Sequence, residues 1–348
     1  MYYVGVDHHK MTQFVTTIKE DGTVYLKRRF NPKAEALRTF FEQHPRPFVV
    51  GIEAGYAWEY VADIVEALGF EIHVGHPVLL KAFAQKHKKN DKIDSWLIAW
   101  LLWRGDLPTI VHPSKEARQR RDLYRQRMDL VQRRTALSSR AKAWADRHGF
   151  QATMNLSTRK GVELLAALPA EPSSQFVLSS HVTTLLFLYD EIRRIEAEIR
   201  RVAKRTDEVM FVDSIPGMGP FLALLVASEI FDIERFDTSR RLVGYSGLAP
   251  GSWSSGGRVY QGHLCPNANR YLRWAFCEAV DHFRRQCAWA NAKYNRLKKA
   301  KDWKTARIAI ARHIATITFH LLRDRRPYEP ERPAAFRSND KNGNGNNG

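Results

Sequence analysis

The sequence predicts an α/β domain at its start and a mainly helical remainder, and three observations carry that reading. Through residues 1–105, short apolar runs of strand length alternate with amphipathic helical patterns. Beyond them the apolar positions step at helical spacing, with one Gly/Ser-rich interruption at 247–257. Gly, Pro and Asp-Gly signals punctuate the runs where a turn or a helix stop is needed.

The elements follow in order. Residues 2–7, Tyr-Tyr-Val-Gly-Val-Asp, form the first apolar run, and Phe14-Val15-Thr16-Thr17-Ile18 is a β-rich second. Asp21-Gly22 is a hairpin turn into Thr23-Val24-Tyr25-Leu26. Leu37, Phe40 and Phe41 mark one helix face at i, i+3, i+4. Residues 48–53, Phe-Val-Val-Gly-Ile-Glu, read as a buried strand, followed by a helical stretch over 58–68 that stops at Gly69. Phe70 to Val74 is a further strand, and Asp91 and Asp94 stand three apart where another helix begins. Three strands, helix, strand, helix, strand, helix is the order of a ribonuclease-H-like fold.

Residues 115–150 are helical in pattern and crowded with Arg118, Arg120, Arg121, Arg125, Arg127, Arg133 and Arg134. Residues 151–176, with Pro169, Pro172 and several serines, read as a connection. Leu185, Leu188, Ile192, Ile195, Ile199 and Val202 then form an a/d seam, fit to pack on the basic helix, on a second copy, or on both. Ile310, Ile314, Ile317 and Leu321 give the last amphipathic face. The tail from Ser338 is low-complexity and reads as disordered. The expected parts are therefore 1–110, a catalytic α/β domain; 111–207, a basic helical and coiled-coil region; 208–328, a helical domain with the serine loop; and 329–348, a tail.

Composition narrows the partners. Among 348 residues, 55 Lys+Arg face 37 Asp+Glu, a formal net charge of +18 that favours DNA or RNA. A membrane surface competes, yet no stretch approaches the ~20 apolar residues of a spanning helix. Asp7, His8, His9 and Lys10 interrupt any signal-peptide core, so the chain reads as cytoplasmic. Cys265, Cys277 and Cys287 lack Cys-x-x-Cys spacing and read as reduced, partly buried thiols.

Against that charge, four acids stand out. Two-metal phosphoryl chemistry wants about four carboxylate donors around ions roughly 3.5–4 Å apart, and magnesium or manganese suits oxygen ligands. Neighbouring strand ends can supply Asp7 and Glu53, and one helix face can supply Asp91 and Asp94. Taken singly, Asp7 also reads as a turn residue, and Asp91 and Asp94 as an N-cap and a first-turn acid. Their order on these elements favours the metal site.

Two further segments carry chemistry. Ser214-Ile-Pro-Gly-Met-Gly-Pro220 precedes an apolar helix, so Gly217 and Gly219 can turn backbone N–H groups toward a phosphate, or can form a plain interhelical turn. In Gly247-Leu-Ala-Pro-Gly-Ser-Trp-Ser-Ser-Gly-Gly-Arg258, Ser254 and Ser255 precede two glycines, with Arg258, Arg270 and Arg273 following. A serine beside phosphate-binding arginines can attack phosphorus when activated; alone, such a loop is also an ordinary flexible turn.

These pieces resemble the DEDD transposases of bacterial insertion sequences, whose N-terminal domain is like the Holliday-junction resolvase RuvC. The matching residues are Gly-Val-Asp7, Gly-Ile-Glu53-Ala-Gly-Tyr, Lys89-Asn-Asp91-Lys-Ile-Asp94, Ser-Ile-Pro-Gly-Met-Gly-Pro, Leu242-Val-Gly-Tyr-Ser-Gly-Leu-Ala-Pro250, Ser-Ser-Gly-Gly-Arg258 and Arg270-Tyr-Leu-Arg273. The resemblance implies a metal-dependent tetrad at Asp7, Glu53, Asp91 and Asp94. It also implies a serine nucleophile, Ser255 by alignment where local chemistry leaves Ser254 open. It further implies guidance by an element-encoded bridge RNA, donor and target DNA, and a dimer or tetramer whose active site is composite. Pro266-Asn-Ala-Asn departs from the family's Ser-Lys-x-Gly, removing one expected phosphate-contacting lysine. On this reading, Arg120, Arg121, Arg133, Arg134 and the basic stretch 291–312 track nucleic-acid backbones by charge. The competing functions are a metal-dependent, junction-selective DNA nuclease and a non-enzymatic nucleic-acid scaffold.

Overall fold

A computed structural model of the chain describes residues 1–31, 33–84, 91–150, 153–255, 258–264 and 268–330, and within these the side chains at 84, 91–93 and 250–264 are left undescribed. The expectations for the tail, for Cys265 and for Gly256-Gly257 fall outside the described residues. The chain divides into two compact units, Met1–Lys115 and Glu116–Gly348.

The first unit is a five-stranded sheet of order β3-β2-β1-β4-β5. Its elements are β1 (Tyr2–His8), β2 (Gln13–Lys19), β3 (Val24–Phe30), α1 (Ala34–Gln43), β4 (Phe48–Glu53), α2 (Trp58–Ala67), β5 (Ile72–Gly75), α3 (Pro77–Ala84) and α4 (Asp91–Arg104). β1 pairs antiparallel with β2 and parallel with β4, which pairs parallel with β5. This is the succession read from the apolar runs, with α3 as one helix more. At the β2–β3 turn Gly22 takes φ +82°, and the Asp21 carboxylate accepts the Thr23 backbone N–H at 2.9 Å.

Side-chain alternation gives the sheet two different faces. Val4, Val6, Val50 and Ile52 pack against Leu37, Phe40 and Phe41 of α1 and Val61 and Val65 of α2. The opposite face carries Tyr3-Gly5-Asp7 on β1 and Val49-Gly51-Glu53 on β4, and α4 lies across it. Gly5 and Gly51 are cross-strand partners beneath that helix. A Cβ on Gly5 would overlap the Ser95 carbonyl oxygen and the Ala99 backbone nitrogen; one on Gly51 would sit 3.0 Å from Ile98 and 3.2 Å from Leu102. The buried Ser95 hydroxyl also meets Thr16 at 2.9 Å. Gly5 thus lets the helix backbone rest directly on the sheet, and Gly51 makes room beside it for the Ile98 and Leu102 side chains.

The second unit is helical apart from one hairpin. It comprises α5 (Lys115–Arg147), α6 (Arg159–Ala166), α7 (Pro172–Val202), α8 (Asp207–Asp213), α9 (Gly219–Ile230), a 3-10 turn (Ile233–Arg235), α10 (Ser239–Tyr245), β6 (Pro250–Ser255), β7 (Arg258–Leu264), α11 (Arg270–Gln286), α12 (Ala288–Ala300) and α13 (Trp303–Asp324). α5 and α7 run antiparallel: Arg127 pairs with Glu196 at 2.7 Å, and His148 meets the Ser174 hydroxyl at 3.1 Å. Leu185, Leu188, Ile192 and Ile199 of the seam are buried, and Leu188 and Ile192 pack on Leu130 of α5. Tyr124 and Met128 of α5 join Ile199 in the core built by α8 to α13, where Ile310, Ile314, Ile317 and Leu321 are buried as expected.

Besides α3, two segments differ from the sequence reading. The stretch 151–176 is more than a connection: Thr158 caps α6 by accepting the Gly161 N–H, Val162 and Leu165 are buried, and Pro172 opens α7. Proline at a first helical turn starts a helix, since the N–H it lacks there would have no partner. The interruption at 247–257 contains strand β6, paired antiparallel with β7. Cys277 and Cys287 are free thiols, half-buried and buried.

Replacing Gly5 with valine should push α4 off the sheet and cost at least about 3 kcal/mol, the upper end of core overpacking. Urea unfolding followed by the near-ultraviolet signal of Trp96, Trp100 and Trp103 checks this. A Gly5→Val protein that unfolds with the parent would show that α4 does not rest on β1.

Candidate functional site

The last parallel pair between β1 and β4 is Val6–Ile52, so Asp7 and Glu53 are the next residues on each strand and lie on the α4 face. α4 crosses that face with a defined direction. Its last turn reaches the base of the sheet, where the Trp103 indole N–H donates to the Glu20 carbonyl at 3.0 Å and Leu102 lines a cavity with Tyr3 and Val49. Ser95 and Ala99 lie over Gly5, one alternation before Asp7. The N-terminal turn of α4, which begins at Asp91 and carries Asp94, therefore points to the strand ends that bear Asp7 and Glu53.

Asp7 is buried, 7% exposed, and its carboxylate lies 3.0 Å from His9 Nε2. Glu53 and Asp94 are half-buried, and Asp91 is the first residue of its helix. Among the described residues, no three His, Cys, Asp or Glu side chains lie close enough to hold a metal ion; the Asp91 side chain is outside that set. On the other sheet face at the same strand ends, His8 stacks on Tyr56 with centroids 6.2 Å apart. Burial lowers the His8 pKa, and neighbouring His9 lowers it further. In the sequence His9 stands out only as an interruption of a signal-peptide core, not as a neighbour of the Asp7 carboxylate. The glycine two residues before each acid, in Gly-Val-Asp7 and Gly-Ile-Glu53, is legible there as part of the motifs, without its packing role beneath α4.

In the second unit, β6 and β7 set Ser255 opposite Arg258 and Ser254 opposite Val259. The two-residue Gly-Gly connection is a known hairpin signal, missed because the serine-rich composition suggested a loop. The two glycines of the 214–220 turn differ in kind. Gly217, at φ +87°, lies where a Cβ would come within 2.6 Å of the Ala279 carbonyl oxygen, so close packing on α11 requires it. Gly219, at φ +57°, heads α9 with open space before it. Arg273 packs against Gly247, which has room only for hydrogen. Arg270 is exposed, stacks 4.8 Å over Tyr271 and pairs weakly with Asp129 at 3.4 Å.

The arginines of α5 divide into two sets. Arg133 is exposed and Arg120 half-buried. Arg121 and Arg134 are half-buried, and desolvation lowers the pKa of both, helped by Arg125 and Arg127 respectively. Arg125 turns inward. Its Nε and Nη2 donate to the fully buried Glu229 carboxylate at 2.6 and 2.8 Å, while Asn269 Nδ2 donates to Glu229 at 2.7 Å. Burial disfavours the Arg125 charge, but the Glu229 bonds outweigh it and raise its pKa. Asn269 also caps α11 through the Tyr271 and Leu272 N–H groups. The sequence signal for this network was the single acid in the apolar run Leu224-Leu225-Val226-Ala227-Ser228-Glu229.

Glu229→Leu should strand the Arg125 guanidinium and destabilise the second unit by about 3–5 kcal/mol. The double variant with Arg125→Met should recover much of that loss. Guanidinium unfolding of both variants is the check; equal loss in the single and double variants would deny the coupling.

Comparison with known proteins places the sequence among transposases. Residues 4–149 match a transposase model of the DEDD type named for IS110, and residues 210–295 match the model of the IS116/IS110/IS902 transposase family. The transposase for insertion sequence element IS1328 from Yersinia enterocolitica is 24% identical over 278 residues, covering 78% of this chain and 80% of that protein. The transposase for IS1111A from Coxiella burnetii is 27% identical, covering 54% of this chain and 53% of its own length. An insertion element IS116 protein from Streptomyces clavuligerus is 28% identical, over 48% of this chain and 42% of that protein. The chain thus spans most of the first of these relatives and about half of the other two. With both models matched in order along the chain, it belongs to the IS116/IS110/IS902 family of transposases.

Proposed function

We propose that the chain is the recombinase of a bacterial insertion sequence, cutting, exchanging and rejoining donor and target DNA under the guidance of an element-encoded bridge RNA. The observation that carries the reading is the shared face of Asp7, Glu53 and the acid-bearing start of α4. We read the first unit as RuvC-like and its strand-end carboxylates as the cutting centre. The donors are oxygen only and charged, which fits a hard divalent cation, and Asp7, Glu53, Asp91 and Asp94 would hold Mg2+ or Mn2+. When bound, such ions neutralise phosphate charge and favour ionisation of an attacking hydroxyl. A proton held between His9 and Asp7 would orient that carboxylate.

Ser255 is the proposed nucleophile. The backbone register sets Ser255 directly opposite Arg258, whereas Ser254 is opposite Val259. That register supports Ser255 as the serine beside a phosphate-binding cation. Its oxygen would bond to phosphorus while one bridging phosphorus–oxygen bond breaks. The serine gives up its proton and the departing deoxyribose hydroxyl gains one. The phosphoserine link conserves the bond energy for rejoining. Arg270, Arg273 and the N–H groups at Gly217 and Gly219 would hold phosphates nearby, and Arg120, Arg121, Arg133 and Arg134 would meet backbone charge.

We further propose that the chain acts as a dimer or tetramer, the tetrad of one protomer serving the serine of another. Residues 172–189 of α7 contain no Asp, Glu, Lys or Arg in a chain of net charge +18. Phe176 and Phe187, three turns apart on that helix, are 77% and 60% exposed. An uncharged face of this kind is suited to a second copy.

Glu53→Gln should abolish strand cleavage while leaving nucleic-acid affinity near that of the parent. A magnesium-dependent covalent protein–DNA adduct should form with the parent and with Ser254→Ala, but not with Ser255→Ala. An adduct lost in Ser254→Ala and kept in Ser255→Ala would move the nucleophile by one residue. Cleavage without adduct in every variant would give the attack to water and make the chain a junction-selective nuclease.

A further inference from the structure

The cations of the second unit are unevenly balanced. On α5, Arg125 and Arg127 pair with Glu229 and Glu196. At the end of α12 and the start of α13 the sequence Arg296-Leu-Lys298-Lys299-Ala-Lys301-Asp302-Trp303-Lys304 holds five cations and one acid. All five cations are exposed, and among the described residues none forms an ion pair with a carboxylate. The Asp302 carboxylate is occupied in capping α13: it accepts the Lys304 and Thr305 N–H groups at 2.7 and 2.9 Å and the Thr305 hydroxyl at 2.6 Å.

The imbalance extends along the same two helices. Lys293 of α12 contacts His313 of α13, and both have lowered pKa values. Burial is the larger cause for each; Arg296 and Arg312 then act on Lys293, while Lys293 and Arg312 act on His313, whose value falls to about 4. Burial, reinforced by the neighbouring Lys293 and Arg312 charges, keeps this histidine neutral.

Lysines at the end of α12 have a structural reason, since cations favour a helix C-terminus. Trp303 has none. It is 52% exposed, it opens α13, and the cap fixes its backbone. Lys304 Nζ lies 5.7 Å from its ring centroid. An aromatic ring presented from a rigid helix start among unpaired lysines is what base stacking on a flexible strand requires. A duplex would engage the lysines through its phosphates but would offer no free base face.

We infer that the α12–α13 corner is a single-strand nucleic-acid site, in which Trp303 stacks on an unpaired base and Lys298, Lys299, Lys301 and Lys304 meet the adjoining phosphates. It rests on the basic surface and the ring, and stands whether or not the carboxylates cut DNA. Unpaired strands of guide RNA and of opened DNA share this chemistry, and the test separates them.

The full chain is titrated, over a range of salt, into labelled oligothymidylate, oligouridylate and a duplex of equal length. Trp303→Ala should weaken single-strand binding by roughly ten-fold without changing its salt dependence, and should leave duplex binding unaltered. Trp303→Phe should retain most of the affinity. Replacing Lys298, Lys299 and Lys301 with alanine should instead flatten the salt dependence by about two units. The larger loss, on thymidylate or on uridylate, identifies the natural strand. Photocrosslinking of an iodouracil-bearing strand should label the peptide containing Trp303. Parent-like single-strand binding by Trp303→Ala, or an equal loss on duplex, overturns the site. Unaltered binding together with weakened self-association would make the ring a protein contact instead.

Discussion

The first unit depends on one close approach, the backbone of α4 lying on Gly5 with its Ile98 and Leu102 side chains over Gly51. These glycines are cross-strand partners, so together they open a single depression in the sheet surface. Any side chain at Gly5 would meet helix backbone, which cannot swing aside as a side-chain end can. The seat determines which end of α4 reaches the strand ends. The acids of its first turn follow from that direction, as does their common face with Asp7 and Glu53. The methyl-sized volume absent at Gly5 and Gly51 is what lets α4 take this seat.

Much of this was legible in the sequence. The apolar runs ending in Asp7 and Glu53, the Asp21-Gly22 turn and the Leu37, Phe40, Phe41 face appear where periodicity placed them, because each is a local pattern with a local physical cause. What was not legible depends on contacts distant in sequence. Gly5 and Gly51 reveal their purpose only against Ser95, Ala99 and Ile98. Arg125 looks like every other arginine of α5 until Glu229, about a hundred positions later, is brought beneath it. The hairpin of β6 and β7 was hidden by composition, since serine and glycine read as loop while the alternation that makes a strand is short.

The second unit shows how misleading a count of cations can be. In α5 the arginines serve two purposes: Arg125 and Arg127 pack the helix onto its neighbours through ion pairs, while Arg133, Arg140 and Arg147 are exposed. Arg127 even stacks 4.2 Å over Phe221 as it pairs with Glu196. Fewer cations, unpaired and set beside an exposed ring at the end of α12, make a more distinct surface than the longer basic helix. Net charge identifies the class of partner, whereas pairing and exposure identify the residues that meet it.

The central claim is that the strand ends of β1 and β4 and the start of α4 together form a divalent-cation centre. Anomalous diffraction from crystals of the protein grown with Mn2+ tests it most directly. The account predicts manganese density bounded by Asp7, Glu53 and the first turn of α4, and its disappearance in Glu53→Gln. Manganese bound elsewhere, with these carboxylates turned to solvent or to one another through hydrogen bonds, would contradict it.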